Sequence, residues 1–397
     1  MKSLNKLSAK YLQLSLKGRA IWIAFFCLIY IFIFATPPFT TLLHPEANYY
    51  WSHINKQMDH PLQPIILEDP AAHPAKLSLR LLVPVIGHII PSDNIQVRFF
   101  VVILLKSFLG FLFFYYIFQF FYKRITLQWV PELLTISWVT LYCGKAFITD
   151  FMWFDEFAFF FILLSLISRN TIIVFLSVIA ACFTDERSFF SLLFVIIFRL
   201  YEYVEVQLDS GNFTVGNFFK NIRFNRPLIN LLIIPAAMAV SVGIRIYLQK
   251  YHGLGVQADN SAIIFLDYLR NGNMDYLIIG IFVTFKFLWL LIIWFFYKFF
   301  KISKLFFLFT FLAFILILIV SLSVWDLSRS LNYAFPLLFF TYYLLTKTMQ
   351  QNNPAFQKSF FIVIAVIVIG NFICPSIMVA DGVDMHHNIL MKFLDHK

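Results

Sequence analysis

Glu46 stands in the motif HPEANYY, directly after a long apolar run. A carboxylate held just above a membrane can act as a general base or bind a divalent cation, and both roles suit the transfer of a group from a lipid carrier. A solvated loop carboxylate is the alternative interpretation. Arg80 lies in the apolar segment SLRLLVPVIGHII, where a guanidinium at headgroup depth either binds phosphate through two N–H groups or reaches out to ordinary lipid headgroups.

Three carboxylates, Asp150, Asp155 and Glu156, lie close together in the motif TDFMWFDEF. Carboxylates this close repel one another unless they are protonated or neutralised, and Mg²⁺ or Mn²⁺ would neutralise them. The three carboxylates are therefore candidate metal ligands. The alternative is a polar turn between two helices.

Two further motifs each combine an arginine with carboxylates between apolar runs. Arg187 follows Asp185 and Glu186 directly, in a segment with almost no loop on either side, so the group is expected at the edge of the hydrocarbon layer. Asp326 and Arg329 are three residues apart and would share one face of a helix. In both motifs the guanidinium either binds an anionic headgroup or forms a structural ion pair, with the carboxylates in a supporting role.

The composition requires that these polar motifs be positioned by membrane helices. Of the 397 residues, 60% are hydrophobic and 13% charged, and the mean hydropathy is +0.79. These values exclude a water-soluble domain, a disordered chain and a disulfide-stapled scaffold. In a soluble protein, a net charge of +10 would suggest a nucleic-acid partner. In a membrane protein, Lys and Arg collect in the cytoplasmic loops, and the excess of basic residues is attributed to that, so no nucleic-acid partner is expected.

The fold class predicted from this pattern is an all-α polytopic membrane protein with about 11 transmembrane helices. Several segments between 152 and 200 are short for a bilayer of about 30 Å, so broken or half-crossing helices are the alternative there. The predicted spans are 20–43, 97–121, 127–148, 152–168, 171–184, 188–200, 227–247, 276–297, 305–324, 333–346 and 359–379.

Charge asymmetry predicts the orientation. Lys and Arg concentrate on one set of loops, which predicts a cytoplasmic N-terminus and an extracytoplasmic C-terminus. The chain is expected to form a single transmembrane domain, 1–397. A bacterial inner membrane is expected because abundant Phe, Ile and Lys are compatible with an AT-rich bacterial genome. The predicted connections are an extracytoplasmic loop with interfacial helices at 44–96, a cytoplasmic loop at 201–226, an extracytoplasmic loop at 248–275 and an extracytoplasmic tail at 380–397.

Together, the topology and short motifs resemble the GT-C superfamily, the integral-membrane glycosyltransferases that use polyprenyl-phosphate-linked sugars. Glu46 stands where that superfamily carries an acidic residue soon after the first span, although Asp is commoner. Arg80 and Pro84 match an Arg-x-Leu-x-Pro pattern of many bacterial members. Asp155 and Glu156 fall where some relatives bind metal, but they are adjacent rather than spaced as Asp-x-Asp.

The resemblance implies inverting transfer of a sugar from a polyprenyl-phosphate donor to a glycan, lipid or protein acceptor outside the cytoplasm. Glu46 would be the catalytic base, the donor phosphate would be held by Arg80, Arg187 and Arg329, and Mg²⁺ or Mn²⁺ would be the cofactor if one is used. The sequence also leaves open a lipid or polysaccharide transporter or flippase, and a polysaccharide polymerase.

Overall fold

The computed structural model describes residues 11, 13–35, 43–64, 77–125, 127–150, 154–209, 216, 224–255, 274–324, 326–350, 354–374, 377–379 and 383–385. In these ranges the chain is almost entirely helical, with one short antiparallel hairpin near its end. In chain order, the helices and strands are α1 Leu16–Phe34, α2 Tyr49–Asp59, α3 Leu82–Ile89, α4 Ile95–Tyr122, α5 Val130–Ile136, α6 Tyr142–Thr149, α7 Asp155–Ile167, α8 Thr171–Thr184, α9 Ser188–Asp209, α10 Arg226–His252, α11 Met274–Phe285, α12 Trp289–Ile302, α13 Lys304–Leu322, α14 Leu327–Leu331, α15 Phe335–Gln350, α16 Pro354–Ile373, β1 Ile377–Val379 and β2 Val383–Met385.

Five helical stretches in the described residues are long and apolar enough to cross a membrane, in agreement with a helical membrane protein. They are Leu16–Phe34, Ile95–Tyr122, Arg226–His252, Leu277–Ile302 and Lys304–Leu322. The larger number of eleven crossings stays a prediction, as do the orientation of the termini and the choice of membrane.

The outer surface of these helices carries large apolar side chains. Phe25 and Phe26 of α1 are each 51% exposed, and Leu290 and Ile293 of α12 are also exposed. Such a surface would favour association in water, whereas lipid tails are as apolar as these side chains. The exposed surface is therefore the one that a bilayer would cover.

Side-chain caps determine where several helices begin. The Asn94 side chain accepts hydrogen bonds from the backbone N–H groups of Gln96 and Val97, and Asn170 caps α8 in the same way. Ser303 caps α13. A capping oxygen satisfies backbone donors that a helix start leaves unpaired, which is why short polar residues between apolar runs mark these starts.

The predicted span at 127–148 is not one continuous helix. It divides into α5 and α6, joined by a 3-10 turn over Ser137–Thr140 and an extended Leu141. The Ser137 hydroxyl donates to the carbonyl of Leu134 and lies 2.7 Å from the Tyr342 hydroxyl, so the break is stabilised by buried side-chain hydrogen bonds.

The predicted loops are only partly described. The predicted first loop contains α2 and α3, and α3 lies in the apolar segment that carries Arg80. Helix α9 continues to Asp209 and α10 to His252, so both extend into segments predicted as loops. Most of the remaining residues of the loops at 201–226 and 248–275, and most of the tail at 380–397, lie outside the described residues.

The helices connect two ends of the bundle. We call the end that carries Arg80 and Asp185 the upper end, and the end that carries Arg124 and Arg169 the lower end. Helix α7 runs from the upper end to the lower end, and α8 returns beside it. Between the two ends, buried aromatic rings form the core, with Phe113 against Phe147 and Phe120 against Phe339.

Close packing at Gly144 yields a testable stability difference. A Cβ atom at this position would lie 2.1 Å from the backbone oxygen of Trp138, whereas one at Gly243 would meet nothing within 4 Å. We expect Gly144→Ala to destabilise the protein by about 1–3 kcal/mol, because backbone must move to relieve the overlap. Gly243→Ala should be neutral or stabilising by up to about 1 kcal/mol. Thermal unfolding in detergent measures both, and equal melting temperatures for the two variants would contradict the packing at Gly144.

Candidate functional site

Ionisable residues from four separate parts of the chain meet at the upper end of the bundle. We call this group the upper cluster, and its members are Arg80, Asp155, Asp185, Glu186, Arg187 and Arg329. They come from the segment before α3, the start of α7, the turn between α8 and α9, and the short helix α14. Convergence from such distant positions is a property of the fold rather than of local sequence.

Asp185 is a completely buried carboxylate of the upper cluster. It accepts hydrogen bonds from the backbone N–H of Arg187 at 2.8 Å and from the Arg187 side chain, Nε and Nη2, at 2.7 Å each. Arg80 Nη2 lies 2.9 Å from it on the other side. Burial alone would raise the pKa of Asp185, but Arg187 and then Arg80 lower it well below its usual range.

Asp155 joins two arginines. Its Oδ1 is 3.0 Å from Arg187 Nη2 and accepts the Tyr333 hydroxyl at 3.1 Å, and its Oδ2 is 3.5 Å from both Arg329 Nε and the Tyr142 hydroxyl. A buried carboxylate is stable only when counter-charges and hydrogen-bond donors surround it, and the buried Asp155 receives both from three other segments.

Arg329 and Asp326 form the pair predicted from their three-residue spacing, with Nη2 and Oδ2 2.5 Å apart. Ser330, on the same short helix, accepts a hydrogen bond from Arg187 Nη1 at 2.6 Å. Helix α14 therefore attaches to the turn between α8 and α9 through side chains that point inward.

Arg80 and Glu186 form the accessible edge of the upper cluster. Arg80 donates to Glu186 through Nη2 at 2.6 Å and Nε at 3.2 Å, while the Glu186 side chain is 48% exposed. Burial acts against ionisation at both residues, but their neighbours, Asp185 for Arg80 and Arg80 for Glu186, raise the pKa of Arg80 and lower that of Glu186. Arg80 Nη1 is buried and has no hydrogen-bond partner in the described structure, so one donor remains for a ligand.

The upper cluster is recessed below the end of the neighbouring helix α10. Helix α8 ends at Thr184, where Arg245 of α10 donates to the Cys182 carbonyl, and α10 continues to His252, which is about 10 Å further at 1.5 Å per residue. The short helices α7 and α8 therefore carry the ionised residues down into the bundle.

Aromatic side chains close the recess from the side of the first loop. Trp51 of α2 is fully buried and packs against Phe99 and Phe154, the residue that precedes Asp155. Phe154 adopts the left-handed backbone conformation with φ 59°, and α7 begins at the next residue, Asp155. Such a conformation is uncommon for a bulky residue and is held here by the surrounding packing.

Sequence reasoning missed three residues at this site. Tyr142 and Tyr333 place buried hydroxyl groups against Asp155, and Tyr142 also donates to Asp150. Arg245 lies beside the edge of the upper cluster. An arginine inside an apolar helix is an expensive residue that signals function, and this signal was available in the sequence.

The two residues predicted as metal ligands face different partners. Asp155 is occupied by guanidinium and hydroxyl groups, whereas the Glu156 carboxylate is buried 3.5 Å from Lys106 Nζ. Within the described residues, no group of three or more His, Cys, Asp or Glu side chains is arranged to hold a metal ion. Binding of Mg²⁺ or Mn²⁺ by Asp155 and Glu156 stays a prediction.

Glu46 lies apart from the contacts of the upper cluster. Its Oε1 is 3.3 Å from His44 Nδ1 and its side chain is 48% exposed. Hydrogen bonding to its own backbone N–H and to His44 lowers its pKa. Among the described residues, no hydrogen bond or ion pair joins Glu46 to Arg187 or Arg329, which the resemblance assigns to the same reaction.

The comparisons with known proteins found no matching family model, no curated protein and no solved structure.

Proposed function

We propose that this chain is a membrane glycosyltransferase of the GT-C type, which transfers a sugar from a polyprenyl-phosphate-linked donor to an acceptor, with inversion, on the extracytoplasmic side. The observation that carries the proposal is the convergence of Arg80, Arg187 and Arg329 in one buried cluster at a membrane helix end. Planar guanidinium groups suit the phosphate that departs as the glycosidic bond breaks.

Charge balance supports entry of the donor phosphate at the edge of the cluster. With Arg245 and Asp326 included, arginines and carboxylates balance when all are ionised, so a phosphate must replace a carboxylate rather than simply add to it. Glu186 is the half-exposed carboxylate of the group, and it occupies two donors of Arg80. We infer that the donor phosphate displaces Glu186 from Arg80. The phosphate then accepts hydrogen bonds from the Arg80 nitrogens that Glu186 occupied and from Nη1, which has no partner.

Glu46 remains the proposed base that takes the proton of the acceptor hydroxyl. Its lowered pKa keeps it ionised at neutral pH, and its exposed oxygens are not committed to an arginine. The Asp155 and Asp185 carboxylates are buried and engaged by guanidinium groups, so their oxygens are less accessible to an acceptor hydroxyl than those of Glu46.

The proposal is tested with purified protein in detergent and a radiolabelled polyprenyl-phosphate sugar. Covalent transfer of label to an acceptor supports it. A transporter is the second candidate, favoured by the buried Lys106–Glu156 pair, because ion pairs inside membrane helices occur on transport pathways. Flux across liposomes without a covalent product would replace the enzyme proposal by the transporter.

The edge of the cluster makes a paired prediction. Arg80→Lys should weaken donor binding by on the order of tenfold, because lysine keeps the charge beside Asp185 but loses the planar pair of donors. Glu186→Gln should leave donor binding unchanged or tighten it, because it removes the competing charge. Binding of a fluorescent polyprenyl phosphate measures both variants. Equal weakening by the two substitutions would contradict displacement of Glu186.

A further inference from the structure

A separate cavity of about 670 Å³ opens at the lower end of the bundle. It lies between the last turn of α4, the end of α7 and the beginning of α8. Its lining includes Gln119, Lys123, Arg124, Ser168, Arg169 and Ile173. We call this cavity the lower cleft. It is at the opposite end of α7 and α8 from the upper cluster.

The lower cleft carries more positive than negative charge. The side-chain nitrogens of Arg124 and Arg199 lie 3.5 Å and 3.3 Å from the carboxylate of Glu202, so these two arginines share one acidic partner. Lys123 and Arg169 are exposed, and neither side chain has a hydrogen bond or ion pair in the part of the chain that the structure describes. Two cations at the mouth therefore remain for an anion.

The arginines are held in place by the protein rather than by a ligand. The Arg124 guanidinium lies 3.7 Å from the centre of the Phe120 ring, and Arg199 donates to the carbonyls of Ser165 and Ser168 at the end of α7. Stacking and hydrogen bonding reduce the conformational entropy that binding would otherwise cost.

One wall of the lower cleft is apolar and faces outward. Ile173 lines the cleft and is 42% exposed, and its neighbour Ile172 is 69% exposed. These residues begin α8, an apolar helix of 14 residues in a chain whose helices expose large apolar side chains. A ligand in the cleft can thus place an anionic group among the cations and a hydrocarbon chain along α8.

We propose that the lower cleft binds the phosphate-bearing headgroup of an anionic membrane lipid, whose acyl chains lie along the exposed face of α8. Basic pockets between helices at a membrane surface have the chemistry that such headgroups require. The apolar wall favours a lipid over a free phosphate, because a soluble anion would gain nothing from Ile172 and Ile173. This inference does not depend on the enzymatic proposal.

The test uses purified full-length protein in neutral detergent, titrated with phosphatidylglycerol or phosphatidylcholine and read by native mass spectrometry. Wild-type protein should retain phosphatidylglycerol preferentially. The Lys123→Ala/Arg169→Ala double variant should bind it about 30-fold more weakly, as expected when two cations near a lipid surface are removed. The matched control is Lys304→Ala/Lys358→Ala, which removes two exposed lysines near the starts of other helices and should change binding by less than about twofold.

The same titration contains the results that would overturn the proposal. Wild-type affinity in the Lys123→Ala/Arg169→Ala variant would exclude the lower cleft as the binding site, and equal losses in the control would reduce the effect to net charge. Glycerol 3-phosphate, added at the same concentration as the lipid, separates the two sources of phosphate. Its full displacement of phosphatidylglycerol would show that a soluble phosphate is the ligand, whereas retention of the lipid supports the proposal.

Discussion

Replacement of Arg187 by Met is expected to lower the stability of the protein by about 3 kcal/mol or more and to abolish sugar transfer. Arg187 is buried and bonds to Asp185, Asp155 and Ser330. Methionine fills similar space but leaves two buried carboxylates with one arginine each. Removing one partner from a buried ionic network costs more than the pair contributes, because the remaining charge stays without its counterion.

The destabilisation is measured as the melting temperature in detergent, with Arg169→Met as the control because the Arg169 side chain is exposed and has no described partner. Addition of Asp185→Asn to the Arg187→Met variant should recover part of the loss. The pKa of Asp185 is lower in the folded protein than in the unfolded chain, so its ion pairs stabilise the fold at any pH above the usual pKa of Asp. This stabilisation is lost as the pH falls toward the lowered pKa, and the wild-type protein should therefore lose stability in acid. An unchanged melting temperature for Arg187→Met would refute this account of the cluster.

Glu46→Gln is expected to lower kcat for sugar transfer by about 10²–10⁴-fold, the range associated with loss of a general base. Folding should be unaffected, because the Glu46 side chain is exposed and its described ion-pair partner is a neighbouring histidine, His44. Glutamine has nearly the same shape but cannot accept the proton. Donor binding should therefore persist while turnover falls.

Rates and donor affinities of Glu46→Gln and Glu186→Gln, measured side by side, separate the possible assignments of the base. Loss of turnover with Glu46→Gln and its retention with Glu186→Gln supports the proposed mechanism. The reverse pattern would move the role of base to Glu186, which lies in contact with Arg80. Full activity in both variants would exclude both half-exposed carboxylates as the base and would remove the mechanism.

Composition and local spacing predict a large part of this protein. A sequence that is 60% hydrophobic requires a membrane environment, and an Asp and an Arg three residues apart meet on a helix, as Asp326 and Arg329 do. Asn94 and Asn170 likewise mark helix starts from their type and position alone. These features depend on neighbours within a few residues, so no tertiary information is needed to infer them.

Only the tertiary structure decided which of the polar motifs act together. Arg80, Arg187 and Arg329 share carboxylates although they are far apart in sequence, whereas the adjacent residues Asp155 and Glu156 turn to different partners. Successive residues on a helix point about 100° apart, so adjacency predicts divergence, and contact between segments depends on how whole helices pack. The break between α5 and α6 also follows from packing, since Ser137 bonds to Tyr342 of a helix far along the chain.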